Sequence, residues 1–402
     1  MINRIEKIVV NGQEIRVVDG LLLVIGNHGA GKTAFLQSVL NSSSLPNYQR
    51  ISILLNDKDG ITNLLNKAFG NSWDNNYRNF VRSQFKPADA EALLKKVPYA
   101  SMLLSLKVNS LFAYRRLLLL HILLAIKDPS LIVIDEPELA VHPIMIREMC
   151  VVLTKLQEKG HVLIVATNSE NVVSRLFEDI EQVVRLEKNE PYVQANAHVL
   201  EQEINKFYYQ NGDLLKKFSD KKQTDTGLEN IITKYSRIYL TSILRNTIFW
   251  CMHAEGIILG EGSSEDIFFD YIDQILHPSW MREYRIHYMG CLGKSTMPLY
   301  FLFLNHMGIK TVCLFDKDKE SNVVHQAYFQ AFQAYEKKNG HCFAKMVLDP
   351  DLEHVLNIVP PYKLLSMEKP VNIFQHTFTT NNVEEKAWEL AGLIKAMFEH
   401  MK

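Results

Sequence analysis

The feature that most restricts the fold of this chain is a loop motif near its N-terminus. Residues 26–33 read Gly-Asn-His-Gly-Ala-Gly-Lys-Thr and match the pattern G-x-x-x-x-G-K-[ST]. The motif directly follows the apolar stretch 21–25 and directly precedes a stretch with helical periodicity. A strand, a glycine-rich turn and a helix N-terminus in this order predict a phosphate-binding loop at the edge of a parallel α/β sheet.

Each residue type in the motif has a chemical role. Lys32 is expected to reach the terminal phosphates of a bound nucleotide, and the Thr33 hydroxyl to ligate Mg²⁺. Asp135 and Glu136 end a second apolar stretch, where Asp135 would hold the Mg²⁺ through water and Glu136 would polarise the attacking water. The loop itself is expected to contact phosphate oxygens at Gly26, Asn27, Gly29 and Gly31.

Short apolar strands alternate with helical stretches in two separate parts of the chain. The first part opens with β-branched runs from 8 to 25, which Asn11-Gly12 and Asp19-Gly20 divide as hairpin signals, and residues 34–126 are predicted to be mainly helical. It continues with β-type runs at 131–134, 161–166 and about 182–186, and a fresh alternation begins at residue 256. A chain of 402 residues exceeds what one hydrophobic core supports. We therefore predict an α/β domain at 1–199, a helical connector at 200–252 and a second, parallel α/β domain at 253–402.

Four carboxylates occupy strand ends or first helical turns in the second predicted domain. Glu261 follows the stretch 256–260 and Glu265 lies four residues later, while Asp316 and Asp318 follow the stretch 311–315. Acids gathered at strand ends repel one another unless a cation lies between them. Their hard oxygen ligands suit Mg²⁺ or Mn²⁺, so the pattern predicts a metal site that could hydrolyse phosphodiesters with two ions.

The overall charge neither supports nor opposes a nucleic-acid partner. The formal net charge is -1, so any such partner must be bound by local patches or by metal ions. The histidines and cysteines show no zinc-ligand spacing, and five scattered cysteines without a CxxC pair indicate reduced thiols and a cytoplasmic location. Arginines interrupt the apolar run 111–126, which we interpret as a buried helix and not a membrane span.

The first part of the chain, roughly residues 1–195, resembles the ABC-type ATPases. The resemblance rests on the phosphate loop, on residues 135–140 (Asp-Glu-Pro-Glu-Leu-Ala) and on His142 and Pro143 at the position of that family's D-loop. It implies an ATP-binding head that pairs with a second copy, with His142 near the nucleotide. The signature position, 104–110, lacks the family's glycines, and residues 167–169 (Thr-Asn-Ser) replace its switch histidine, so ATP turnover is expected to be slow or ATP to act as a binding switch.

The last part resembles the Toprim domain, and its position behind an ABC-type head resembles the OLD (overcoming lysogenization defect) family of nucleases. The resemblance is carried by Glu261, by residues 293–295 (Gly-Lys-Ser), and by Asp316 and Asp318. It implies that Lys294 faces the scissile phosphate. By the same resemblance, Glu353 is a second-metal ligand and Lys386 a lysine that neutralises charge on the phosphate.

The predicted function is that of an ATP-regulated, Mg²⁺-dependent nuclease, with DNA as the favoured substrate. The resemblance implies a homodimer through the ATPase heads and a role in bacterial defence against phage, in which a further defence protein could take part. Two alternatives stay open. One is cleavage of cellular RNA by the same acids, because this metal chemistry serves both backbones. The other is a nucleotide-gated sensor or scaffold without cleavage of its own, which works with a separate effector.

Overall fold

The computed structural model divides the chain into two compact units, Met1–Gln194 and Ala195–Lys402. The predicted boundaries at 199 and 252 stay predictions. The structure describes residues 5–42, 49–53, 120, 123–124, 128–139, 141, 143–188, 190–210, 236–291, 293–294, 296–317, 323–339, 343–359, 368–380 and 382–401. Most of the predicted helical region from 34 to 126, including the signature position at 104–110, lies outside these residues.

The first unit alternates strands and helices around one sheet. Its strands are β1 (Ile5–Val10), β2 (Gln13–Val18), β3 (Leu21–Gly26), β4 (Gln49–Ile53), β5 (Ser130–Asp135), β6 (Val162–Ala166), β7 (Val183–Leu186) and β8 (Val193–Gln194). Its helices are α1 (Lys32–Asn41), α2 (Pro143–Glu158) and α3 (Glu170–Leu176), with a single 3₁₀ turn at Ile180–Gln182.

The described strands of this unit form one mixed sheet. Its main order is β1-β2-β3-β6-β5-β4, and β7 pairs with both β3 and β8. Strands β3 to β7 run parallel to their neighbours in this group, whereas β1, β2 and β8 pair antiparallel. Parallel pairing requires a crossover between strands, and α2 supplies the one between β5 and β6. The carboxyl ends of β3 and β5 therefore lie at the same edge of the sheet.

The β1–β2 turn and the β2–β3 connection agree with the sequence. Asn11 and Gly12 connect β1 to β2 with φ values of 50° and 81°, and Asp19 and Gly20 connect β2 to β3 with 52° and 76°. Two successive positive φ angles characterise the tight turns that Asn-Gly and Asp-Gly favour. Both turn predictions are confirmed. By contrast, β4 was not predicted, because its sequence, Gln-Arg-Ile-Ser-Ile, carries little strand signal without its partner β5.

The second unit is a smaller α/β arrangement. Its strands are β9 (Gly256–Gly260), β10 (Ile286–Gly290), β11 (Lys310–Asp316) and β12 (Phe343–Leu348). Its helices are α4 (Ala197–Gln210), α5 (Ile248–His253), α6 (Ser263–Tyr271), α7 (Ser279–Glu283), α8 (Met297–His306), α9 (Val323–Asn339), α10 (Leu352–Val355), α11 (Lys369–Phe374) and α12 (Glu384–His400). Wide helical turns extend α6 over Ile272–Leu276 and α11 over Gln375–Thr379.

The described strands of the second unit form a parallel sheet in the order β10-β9-β11-β12. Apolar side chains alternate between its two faces, as the two-residue period of a strand requires. On β11, Val312 and Leu314 pack in a hydrophobic core with side chains of α6 and α12. On the other face of the sheet, the ring of Phe315 packs against that of Phe332 of α9, with 5.0 Å between the ring centroids. Helices therefore cover both faces of the sheet. A binding or catalytic site is expected at the carboxyl ends of the strands, where the polar groups lie.

The predicted α/β class with parallel strands is confirmed in both units. None of the helices in the described part of the chain combines the length and the apolarity needed to cross a membrane. Four cysteines, Cys150, Cys251, Cys291 and Cys313, are buried free thiols, and burial raises the pKa of Cys150 and Cys251 to about 12.

Candidate functional site

The phosphate-loop motif forms a tight connection between β3 and α1. Gly29 and Gly31 have φ values of 81° and 92°, a region that glycine enters without the steric cost of a Cβ. Gly31 is the N-cap residue directly before α1, and the first turn of that helix carries no acidic side chain. The first N–H groups of a helix lack intrahelical acceptors, so this end of α1 favours an anion.

Lys32 folds back over the loop that precedes it. The side chain is 6% exposed, and Nζ donates to the carbonyl of Gly26 at 2.7 Å, to that of Asn27 at 3.2 Å and to Oδ1 of Asn168 at 2.9 Å. Burial lowers the pKa of Lys32, and the nearby carboxylates of Glu136 and Asp135 partly oppose that shift. The ammonium group is thus held at the loop by neutral oxygens, which phosphate oxygens could replace.

Two groups far apart in the sequence meet beside this loop. The Thr33 hydroxyl donates to Oδ2 of Asp135 at 2.7 Å, and Asp135 is 2% exposed at the end of β5. Because β3 and β5 end at the same edge of the sheet, the helix that follows β3 presents its first turn to this carboxylate. A hydroxyl and a carboxylate in contact form the oxygen pair that a Mg²⁺ ion needs beside a nucleotide.

Asn168 joins the lysine to the second acid of the pair. Its Nδ2 donates to Oε1 of Glu136 at 2.6 Å while its Oδ1 accepts from Lys32, and its backbone N–H donates to Oε1 of Glu138 at 2.8 Å. Glu136 has a φ of 44°, so the chain turns sharply where the strand delivers this carboxylate. The sequence marks residue 168 only as part of a departure from the ABC-type pattern, and its place just after β6 is the one signal that points to a role at this site.

We expect Gly26→Ala to destabilise the protein by about 1–3 kcal/mol. A Cβ at this position would lie 2.4 Å from the backbone carbonyl oxygen of Leu186, which cannot rotate away as a side chain would. Chemical denaturation of the variant measures the change. Gly29→Ala is the matched comparison: it meets no atom within 4 Å but carries the cost of a positive φ, about 1–2 kcal/mol. If Gly26→Ala were neutral, the close approach of β3 and β7 at this residue would be wrong.

The second group of predicted residues lies at the carboxyl ends of β9 and β11. Glu261 directly follows β9, and its Oε1 accepts from the backbone N–H of Asp316 at 2.9 Å. Glu265, in the first turn of α6, is 5% exposed and accepts from the N–H of Gly262 at 3.1 Å. Burial, then the charges of Glu261 and Glu353, raise the pKa of Glu265 to about 7 despite that hydrogen bond.

Asp316 ends β11 within the same group. Its Oδ1 is buried and has no hydrogen-bond partner among the described residues. Burial raises the pKa of Asp316 to about 8, with further contributions from Glu261 and Glu265. A buried carboxylate oxygen without a donor is costly unless a cation approaches it, so this oxygen fits a metal ligand.

Lys294 anchors the other side of Glu261. It is 5% exposed, lies 3.1 Å from Oε1 of Glu261 and donates to the backbone carbonyl of Asp316 at 3.0 Å. The preceding Gly293 has a φ of 109° and donates to the carbonyl of Glu261 at 2.8 Å, which holds the loop close to the strand end. Lys294 is therefore brought together with the predicted acids.

A further acid pair follows β12 and carries its own lysine. Glu353 lies on α10 and is 4% exposed, and Asp351 caps the N-terminus of that helix. Nζ of Lys369 is 3.5 Å from Oε2 of Glu353 and 3.3 Å from Oδ2 of Asp351. Asp351 and Lys369 both influence the pKa of Asp316, so this pair faces the same region as the strand-end acids. Lys369 was not predicted, since an exposed-looking Glu-Lys-Pro segment gives no functional signal.

Two of the predicted site residues, Asp318 of the acid group and His142 of the nucleotide site, lie outside the described residues. Lys386 is exposed on α12, where its Nζ contacts Oε2 of Glu389 at 2.7 Å, and Glu389 and Glu385 raise its pKa. Within the ranges that the structure describes, no three His, Cys, Asp or Glu side chains come close enough to enclose an ion. The roles predicted for these three residues stay predictions.

The raised pKa values of Glu265 and Asp316 predict a pH dependence of stability. A folded pKa above the unfolded value of about 4 means that the folded state binds more protons, so its stability contribution is present at low pH. That contribution is lost as the pH rises through about 7 for Glu265 and about 8 for Asp316. In a chelating buffer, we expect the melting temperature to fall between pH 6 and pH 8.5, and Asp316→Asn to flatten that fall. Equal slopes for both proteins would contradict the assignment.

One comparison with known proteins identifies part of the chain. Residues 252–318 match the family model described as overcoming lysogenization defect protein-like, TOPRIM domain. The matched segment contains the strand-end acids and Lys294, and its last residue is Asp318. A search of curated proteins finds no match to the chain. Residues 252–318 are therefore similar to a Toprim domain of the OLD-like kind, a type of domain that in general binds Mg²⁺.

Proposed function

We propose that this protein is an ATP-regulated, Mg²⁺-dependent nuclease whose Toprim domain cleaves phosphodiester bonds, with DNA as the favoured substrate. The observation that carries the proposal is the environment of Asp316. Within a segment that matches a Toprim model, a buried carboxylate oxygen has no hydrogen-bond donor among the described residues, and burial, then the charges of Glu261, Glu265 and Asp351, raise the pKa of this carboxyl group. Such a carboxylate is most stable beside a divalent cation.

Glu261, Asp316 and Asp318 would hold one ion, and Glu353 would hold a second. When bound, such ions supply a water of lowered pKa and stabilise the leaving oxygen of the phosphodiester. Glu265 supports the arrangement from the first turn of α6. Lys294, held between Glu261 and the backbone of Asp316, would place a positive charge beside the scissile phosphate.

The first unit is proposed to bind ATP through the loop at the start of α1. Gly26, Asn27, Gly29 and Gly31 would contact phosphates through the backbone. Lys32 would exchange its carbonyl contacts for phosphate oxygens, and Thr33 and Asp135 would hold the nucleotide's Mg²⁺. The contact of Thr33 with Asp135 and the left-handed glycines support this assignment. His142 is proposed to lie near the nucleotide by resemblance alone.

Glu136 is proposed to polarise the water that attacks ATP, oriented by Asn168. We therefore expect Glu136→Gln to lower ATP hydrolysis about a hundredfold while Mg²⁺-ATP binding is retained, because glutamine keeps the hydrogen-bonding shape but is not a base. Phosphate release and equilibrium nucleotide binding measure the two properties. Glu158→Gln, at the exposed end of α2, is the control. Equal hydrolysis by Glu136→Gln and the control would remove Glu136 from this role.

The dimer and the biological setting are proposed on resemblance. An ABC-type head implies pairing of the first unit with a second copy, and the OLD-like match is consistent with bacterial defence against phage. Sedimentation velocity with and without ATP tests the dimer. A single species of about 46 kDa in both conditions would contradict it.

The central test is cleavage by the purified full chain. We expect plasmid DNA to be cut in Mg²⁺ or Mn²⁺ and spared in EDTA, because the acids depend on the ion to act. Total cellular RNA in parallel reactions distinguishes the ribonuclease alternative, and reactions with and without ATP report its regulation. If neither polymer is cut under any of these conditions, the nuclease proposal is wrong and the sensor or scaffold alternative takes its place.

A further inference from the structure

Lys369 lies where a cation would bind the second acid pair. It is the first residue of α11, and its side chain is 34% exposed. Its Nζ is 3.3 Å from Oδ2 of Asp351 and 3.5 Å from Oε2 of Glu353. Carboxylate oxygens that face a common ammonium group are the same oxygens that would face a divalent ion. The lysine and an ion therefore compete for one position.

The acid that Lys369 contacts depends on a cation. Glu353 is 4% exposed, and its Oε1 is buried without a hydrogen-bond partner among the described residues. Removing such a carboxylate from water is unfavourable unless an opposite charge lies nearby. Lys369 provides that charge through Oε2. In its absence, the negative charge would be left for another cation to balance.

The two lysines of the group differ in how they are held. Lys294 is 5% exposed and donates to a backbone carbonyl, that of Asp316, in addition to its contact with Glu261. Lys369 is one-third exposed, and among the described residues the side chain of Lys369 has its hydrogen bond and ion pairs with carboxylates alone, those of Asp351 and Glu353. Lys369 can therefore leave its position without breaking a backbone hydrogen bond, whereas Lys294 cannot.

We propose that Lys369 is a positioning residue that acts as a resident counter-ion. It occupies the cation position of Asp351 and Glu353 while nucleic acid is absent. The second divalent ion then binds weakly until a substrate phosphate offers the ammonium group another partner. This inference rests on the proposed metal-dependent cleavage. Lys369 would regulate that cleavage by keeping the second ion from binding fully before the nucleic acid binds.

The test is to measure Mn²⁺ binding by the full chain without nucleic acid. Calorimetric titration and electron paramagnetic resonance of the free ion both measure this binding. We expect Lys369→Met to lower the dissociation constant of the more weakly bound Mn²⁺ by about tenfold, because a positive charge within about 4 Å of the ligands is removed. Lys369→Arg keeps that charge and should titrate as the wild type does. Lys345→Met is the matched control, since among the described residues Lys345 has its ion pair with Glu336 of α9 and not with Asp351 or Glu353.

A second substitution localises the effect. Adding Glu353→Gln to Lys369→Met should abolish the tighter binding, while melting curves show whether each variant is folded. The inference is overturned if folded Lys369→Met binds the second Mn²⁺ as the wild type does or more weakly. Asp316→Asn separates the two levels of the argument. If Asp316→Asn does not reduce Mn²⁺ binding in either the wild type or Lys369→Met, the proposed metal chemistry fails together with this inference.

Discussion

Asp316→Asn is expected to reduce Mg²⁺-dependent cleavage by about 10²–10³-fold. Asparagine has nearly the same size and shape, so β11 and its packing are retained, but the anionic oxygen that a metal ion requires is lost. Initial rates on plasmid DNA, or on RNA if that is the polymer cut, measure the effect. Glu283→Gln, on the exposed side of α7 in the same unit, is the control and should cleave at the wild-type rate.

The same substitution is expected to raise stability while it removes activity. The raised pKa of Asp316 means that its ionised form is disfavoured in the metal-free fold, by burial first and by Glu261 and Glu265 next. A neutral amide avoids that cost, so at pH 8 in chelator the melting temperature should rise. Loss of cleavage together with a lower melting temperature would indicate a structural role. Cleavage within a few-fold of wild type would exclude Asp316 as a metal ligand.

Lys32→Ala is expected to weaken Mg²⁺-ATP binding by about ten- to a hundredfold, the effect of losing a charge-assisted hydrogen bond to phosphate. Equilibrium binding of a fluorescent ATP analogue measures the change. Lys188→Ala, an exposed lysine of the same unit, should bind as the wild type does. Unchanged affinity in Lys32→Ala would contradict a nucleotide site at this loop.

The cleavage assay gives the Lys32→Ala variant a second use. If ATP licenses the Toprim domain, the variant should cut poorly even when ATP is added. If ATP restrains cutting, the variant should cut as fast with ATP as the wild type does without it. Because removal of Lys32 leaves the carbonyls of Gly26 and Asn27 without this donor, melting curves must accompany both measurements.

Local chain geometry made several features predictable from the sequence. Asn11-Gly12 and Asp19-Gly20 form the predicted turns because few other residue pairs accept two positive φ angles in succession. The apolar stretches at 256–260 and 311–315 form the strands β9 and β11. Glu261 directly follows β9 and Asp316 ends β11, so the placement of these acids at one sheet edge follows from parallel pairing. Each of these inferences depends on neighbours in the chain or on a repeating pattern.

Contacts between distant segments decided the rest. β4 exists through its pairing with β5, and Asn168 matters because β6 places it between Lys32 and Glu136. Lys369 gains its position from the packing of α11 against α6, which brings its side chain to Glu353 of α10. Lys386, the lysine predicted from resemblance, contacts Glu389 on its own helix. The sequence specifies which groups stand at strand ends. Which lysine or amide faces them depends on side-chain directions that arise only when separate elements pack together.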